Sequence, residues 1–135
     1  MRMLTPLLIG SLVAAGGVAY AGKSSSKDDK YVITEIGEPE NCIRRSQIRS
    51  TDVISDSIID FKMRGGDIYR NTLPNRCSGL AFEEAFSYRT SVNQLCSVDI
   101  IRVIDNSGGG IRERNACGLG KFQKIEKTKK ADTEG

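Results

Sequence analysis

The sequence predicts a mainly β domain: a small antiparallel barrel or sandwich of five to six short strands, stapled by disulfides. Three observations carry this. Short runs rich in Ile, Val, Phe and Tyr alternate with polar residues and are bounded by Gly- and Pro-containing turns. No segment sustains a long helical period. Four cysteines are dispersed through the body of a 135-residue chain. An OB-like barrel is one arrangement that fits.

The elements follow in order. Residues 1–21 read as a secretory signal, with Arg2 at the start, an uncharged run from Leu7 to Ala21, and a small-x-small ending at Ala19-Tyr20-Ala21. Residues 22–30 form a polar leader, 31–126 the single β domain, and 127–135 a disordered charged tail. Within the body, Val32–Thr34 and Asp52–Ile54 suit short strands. Ile58–Met63 and Ile68–Leu73 flank Arg64-Gly65-Gly66-Asp67, the signature of a tight hairpin. Pro74 closes the second strand, because proline donates no ladder hydrogen bond. Leu80–Phe86 allows one or two helical turns. Phe86–Thr90 alternates, and Ile100–Asp105 reads as a well-buried strand. After a Gly-rich turn at 106–110, the chain returns through Ala116–Ile125, where Gly118 and Gly120 suggest a bend or a close backbone approach.

Charge and composition narrow the chemistry. The chain has 20 basic and 17 acidic residues and no histidine. The surplus sits in residues 1–30 and 127–135, which leaves the body neutral and disfavours nucleic acid as a partner. Without histidine there is no Ser-His-Asp triad, no Cys-His pair and no HExxH zinc site. No cofactor or metal is expected. The cysteines lack CxxC spacing, so Cys42, Cys77, Cys96 and Cys117 read as disulfides in an exported protein. Three connectivities are open, and the expected one nests a local Cys77–Cys96 staple inside a Cys42–Cys117 closure.

Several sequence contexts recur together: Cys42-Ile43, Ile59-Asp60-Phe61 before Gly65-Gly66, the run Asn71–Leu80 around Cys77, Phe86-Ser87-Tyr88, Leu95–Ile101 around Cys96, and Cys117–Phe122. Together they resemble a family of small exported Gram-negative bacterial proteins, periplasmic or lipoprotein-like, with a cysteine-containing domain. The resemblance spans about Cys42 to Phe122 and implies an envelope location and a common fold. It brings no catalytic residues, and this chain has no cysteine at the expected cleavage site.

Other motifs fail on their own chemistry. A phosphate loop at Gly118–Lys121 would need glycine at Asn115 and Ser or Thr at Phe122. A calcium loop from Asp105 would need oxygen ligands at Gly109 and a glutamate at Ala116. Asp52, Asp56 and Asp60 would share a face only on a helix, and Asp60 lies in the best strand. Glu83 and Glu84 are sequence neighbours whose side chains diverge.

What remains is a pattern of strand arginines beside aromatics: Arg70, Arg89 and Arg102, with Tyr69 and Tyr88. On neighbouring strands these would form a ligand-binding face. On separate strands they would cover sheet edges and pair with Asp60, Asp67 or Asp105. The functional expectation is a non-catalytic binding or structural domain of the periplasm or secreted space, freed by cleavage near Ala21 and keeping no transmembrane segment. Its partner would be an envelope protein, a glycan or an anionic headgroup. The alternative is an envelope enzyme working without histidine through Lys, Asp or Tyr.

Overall fold

The computed structural model describes residues 27–130. The expected signal sequence at 1–21, most of the expected leader and the end of the expected tail lie outside them. Ten strands are present among the described residues: β1 (Tyr31–Glu35), β2 (Cys42–Arg44), β3 (Ile48–Ser55), β4 (Ile58–Met63), β5 (Ile68–Thr72), β6 (Phe86–Tyr88), β7 (Gln94–Cys96), β8 (Ile100–Asp105), β9 (Arg112–Gly118) and β10 (Phe122–Lys129). One turn of helix, α1 (Leu80–Glu83), precedes β6. The strands form a five-stranded sheet in the order β1-β10-β5-β4-β3, a three-stranded sheet β6-β8-β9 and a two-stranded ribbon β2-β7. All pairings are antiparallel. The fold is mainly β as expected, and open sheets packed face to face fit a sandwich.

Alternation explains the packing. Ile59, Phe61 and Met63 of β4 turn to one face and are buried with Val53 and Phe122. Against them lie Ile101 and Val103 of β8, Ile43 and Leu95 of the ribbon, and Leu80 of α1. Phe61 sits at the centre, edge-on to Phe122 at 5.4 Å and to Phe86 at 6.2 Å between ring centroids. It therefore joins the five-stranded sheet to the three-stranded one. Such edge-to-face pairs contribute about 0.5–1.5 kcal/mol beyond area burial.

The β4–β5 hairpin forms where the Gly-Gly turn predicts it, with Gly66 at φ +95°, a left-handed angle that glycine adopts without strain. The run Ala116–Ile125, by contrast, is two strands in different sheets. β9 pairs with β8, whereas β10 crosses to pair with β5 and β1. Gly120 makes that crossing possible. A Cβ there would lie 2.2 Å from the Thr72 carbonyl oxygen. The buried Asn71 side chain holds the crossing from both sides: its amide nitrogen donates to the Gly120 carbonyl at 2.7 Å, and its oxygen accepts from the Gly120 N–H at 2.8 Å.

The disulfides join Cys42 to Cys96 and Cys77 to Cys117. This corrects the nested pairing: the two bridges interleave along the chain. Cys42 and Cys96 are direct cross-strand partners in the β2–β7 ladder. Cys77 follows the end of β5 and meets β9, tying the large sheet to the small one. Sequence proximity favours Cys77–Cys96, but strand register decides which cysteines face each other. The bridges span 54 and 40 residues. On the chain-entropy model each stabilises the fold by about 4 kcal/mol.

The body also reaches further than composition suggested. β10 continues to Lys129, and a 3-10 turn at Lys27–Lys30 precedes β1. The leader and tail boundaries at 30 and 127 therefore cut through ordered chain.

Candidate functional site

The five sequence-selected residues divide among three places. Tyr88, Arg89 and Arg102 come together in one cleft of about 330 Å³, lined also by Ser87, Val98, Asp99 and Ile100. Tyr69 lines a different hollow, beside Glu40, Cys42 and Met63. Arg70 lies on the outer face of the five-stranded sheet. Of the two arrangements the sequence allows, a shared face holds for Arg89 and Arg102 with Tyr88, whereas Arg70 takes the other and pairs with Asp60.

The cleft follows from the register of the small sheet. Ser87 of β6 stands directly opposite Arg102 of β8, and Tyr88 opposite Ile101. Ile101 is buried, so Tyr88 leans into the core and packs near Phe86, while Ser87 and Arg102 face outward. Arg89 emerges just past the end of β6 on the same outer side. Glu113 of β9 reaches between them. Its carboxylate lies 3.4 Å from Arg89 Nη2 and 4.0 Å from Arg102 Nε, and it accepts from Ser87 Oγ at 3.3 Å. These separations are too long for firm hydrogen bonds, and both guanidiniums remain largely exposed. Asp99, at the cleft wall, is engaged elsewhere: its carboxylate accepts from the Cys96 N–H at 2.6 Å.

Arg70 is built differently. Its register partner is Asp60, which has no solvent exposure. Arg70 donates to both Asp60 oxygens, Nε to Oδ1 at 2.9 Å and Nη2 to Oδ2 at 3.1 Å, in the fork geometry that suits a carboxylate. Lys127 Nζ reaches Asp60 Oδ2 at 2.6 Å and Asp28 at 3.5 Å, and Arg70 also pairs with Asp28 at 2.8 Å. Burial works against the charge on Arg70, but the hydrogen bonds and fields of Asp60 and Asp28 outweigh it and raise its pKa further. Pairing with Asp60 thus occupies the Arg70 head group.

Several other acids are also committed. Asp52 faces Asp60 across the β3–β4 ladder but pairs with Lys27 at 2.9 Å. Asp56 accepts from Arg76 and from the Ala81 N–H at the start of α1. Glu84 pairs with Lys27, and these two acids raise the Lys27 pKa, Glu84 foremost. Asp105 is held at about 2 by the Ser107 hydroxyl first, then by the Ser107 N–H and Arg114. Desolvation, then Glu40, raises the Tyr69 hydroxyl. No cluster of three metal-ligating side chains occurs among the described residues.

No family model, curated protein or solved structure matches the chain. Two disulfides point to a non-cytoplasmic protein. No helix among the described residues is long and apolar enough to cross a membrane.

Proposed function

We propose that this chain is an exported envelope protein whose β domain binds an anionic partner through Arg89 and Arg102 and catalyses no reaction. One observation carries the reading: two exposed guanidiniums converge on a cleft, and Glu113 behind them pairs with both without firmly engaging either. Each guanidinium keeps planar donors free for a carboxylate or phosphate. The cysteine contexts that resemble small exported proteins, and the signal-like residues 1–21, support export to the periplasm or beyond.

The four groups with displaced pKa values lie outside the cleft and offer no general acid or base of their own. Lys27 and Arg70 are shifted toward staying charged, Asp105 likewise, and Tyr69 toward staying neutral. Each shift reinforces the form that the group already holds at neutral pH. A general acid or base needs the opposite, a pKa drawn toward the working pH.

Titration of the oxidised protein with acidic oligosaccharides and phosphorylated headgroups, soluble and lipid-borne, tests this. At least one anion is expected to bind, and Arg89→Ala with Arg102→Ala should weaken it by at least tenfold. An anion bound equally well by the double variant, or no bound anion at all, would defeat the reading.

A further inference from the structure

The two disulfides differ in what surrounds them. Cys77 has no solvent exposure and belongs to the core, and Cys117 packs against it. Cys42 and Cys96 are both partly exposed and lie outside that cluster. Cys42 also lines the open hollow of about 340 Å³ beside Met63 and Tyr69. Thiol–disulfide exchange needs a thiolate to reach a sulfur, so access ranks the two bonds. Charge does not: Glu40 and Asp67 at the hollow are matched by Arg44 and by Lys124, the partner of Asp67.

The bonds differ as well in what they hold. Cys77–Cys117 ties the large sheet to the small one, whereas Cys42–Cys96 closes the β2–β7 ribbon, which pairs with no third strand among the described residues. The ribbon has fastenings besides its sulfurs. Ile43 and Leu95 sit in the core, and the Asn93 side chain accepts from the Ser46 N–H and donates to its hydroxyl, both at 2.9 Å. Opening the bond therefore leaves both larger sheets in place. What depends on it is the turn after β7. Asp99 folds back on Cys96: its N–H donates to the Cys96 carbonyl at 2.9 Å, and its carboxylate accepts from the Cys96 N–H at 2.6 Å. Val98, Asp99 and Ile100 in turn line the Arg89–Arg102 cleft. Cys96 is thus the covalent anchor of that side of the cleft.

We propose that Cys42–Cys96 is a thiol–disulfide exchange site: a dithiol opens it selectively and reversibly by attack on Cys42, and opening loosens the cleft lining at 97–100. The attacking thiolate bonds to Cys42 Sγ as the Cys42–Cys96 bond breaks, and Cys96 leaves as a thiolate. The second thiol of the dithiol then closes on the first and releases Cys42. Each released sulfur takes up the proton that its attacking thiol gave up. Two electrons pass to the protein, and the dithiol becomes a cyclic disulfide. Asp99, no longer held at the Cys96 N–H, then competes as a carboxylate for the two guanidiniums. That last effect regulates ligand binding and rests on the anion-binding reading above; the exchange and the loosening do not.

Limited reduction of the oxidised protein with dithiothreitol, quenched in acid, alkylated and mapped by peptide mass, tests the proposal. Thiols at Cys42 and Cys96 should appear at least about tenfold faster than at Cys77 and Cys117. With 2-mercaptoethanol, an uncharged monothiol, the trapped adduct should lie on Cys42, leaving Cys96 as the thiol. In the selectively reduced protein, amide hydrogen exchange at 97–100 should quicken about tenfold while β4 and β5 keep their protection. Cys42→Ser with Cys96→Ser should reproduce that pattern, and reoxidation of the wild type should reverse it. An anion bound by the oxidised protein should bind the reduced form at least about threefold more weakly. Equal rates at the two bonds, earlier opening of Cys77–Cys117 or an adduct on Cys96 would overturn the proposal. So would global unfolding on opening, or unchanged exchange at 97–100. Exchange and loosening with no anion bound by either form would support the site and remove the anion-binding reading instead. An anion bound equally by both forms would overturn the regulation and leave that reading intact.

Discussion

Two strand arginines have opposite environments on the two sheets. Arg70 and Arg102 both sit mid-strand. Arg70 faces Asp60 across the β4–β5 ladder, and Arg102 faces Ser87 across β6–β8. The carboxylate is fully buried and binds Arg70 through both of its oxygens, with Lys127 and Asp28 completing a compact charge network. The serine takes no charge from Arg102, whose nearest acid, Glu113, is 4.0 Å away. The cross-strand partner therefore decides whether a strand arginine is structural or available to a ligand.

The largest test of this contrast is Arg70→Ala. It leaves Asp60 buried with Lys127 as its remaining cationic partner. Removing one member of a buried pair costs about 3–5 kcal/mol. The denaturant midpoint should fall accordingly, with the m-value unchanged. Replacing Asp60, Arg70 and Lys127 together by apolar residues of similar volume should cost far less, because no charge is then left uncompensated.

Gly120→Ala comes next. The added Cβ would meet the Thr72 backbone oxygen, not a flexible side chain. A loss of about 1–3 kcal/mol is expected. Since Gly120 lies where the chain leaves the small sheet for the large one, the variant should lower the thermal midpoint without changing either disulfide.

Asp105 is an intermediate case, an acid shared between its own turn and Arg114 of β9. Its folded pKa of about 2 lies below the ordinary 3.8. The stability it contributes is thus present above pH 3.8 and is lost as pH falls through about 2. Asp105→Asn should remove this dependence. The stability difference between wild type and variant should shrink as pH falls through that window in acid-denaturation curves.

The smallest effect is expected at the cleft. Arg89→Ala and Arg102→Ala should each change stability by no more than about 0.5 kcal/mol, because exposed pairs at such distances contribute little. A loss of several kcal/mol from Arg102→Ala would erase the contrast with Arg70.

Much of the fold was legible where local signals are strong. Alternation and two glycines marked the β4–β5 hairpin, and Gly120 was recognisable as a close backbone approach. The three-residue strands β2 and β7 were missed, because three residues are too few to display a period. The division of Ala116–Ile125 between two sheets depends on the Asn71 clamp, 49 positions away in sequence. Lys127 looked like solvated tail because composition treats lysine as exposed, whereas Asp60 and Asp28 neutralise it on the sheet. The disulfide pairing is hidden because it is set by register between distant strands, whereas the Arg70–Asp60 pair lies within the β4–β5 hairpin and is one of the two arrangements the sequence offers. Three of the five site residues converge because their strands or strand ends meet in one small sheet, an adjacency that spacing alone does not encode.

Side-chain NMR of the arginine Nε–H groups, recorded with and without an anionic ligand, tests the central contrast most directly. The Arg70 Nε–H, bonded to buried Asp60, should exchange slowly with water and stay unmoved on ligand addition. Those of Arg89 and Arg102 should exchange quickly when free, then shift and gain protection when the anion binds. Fast exchange at Arg70, or a ligand response at Arg70 with none at Arg89 and Arg102, would contradict the account.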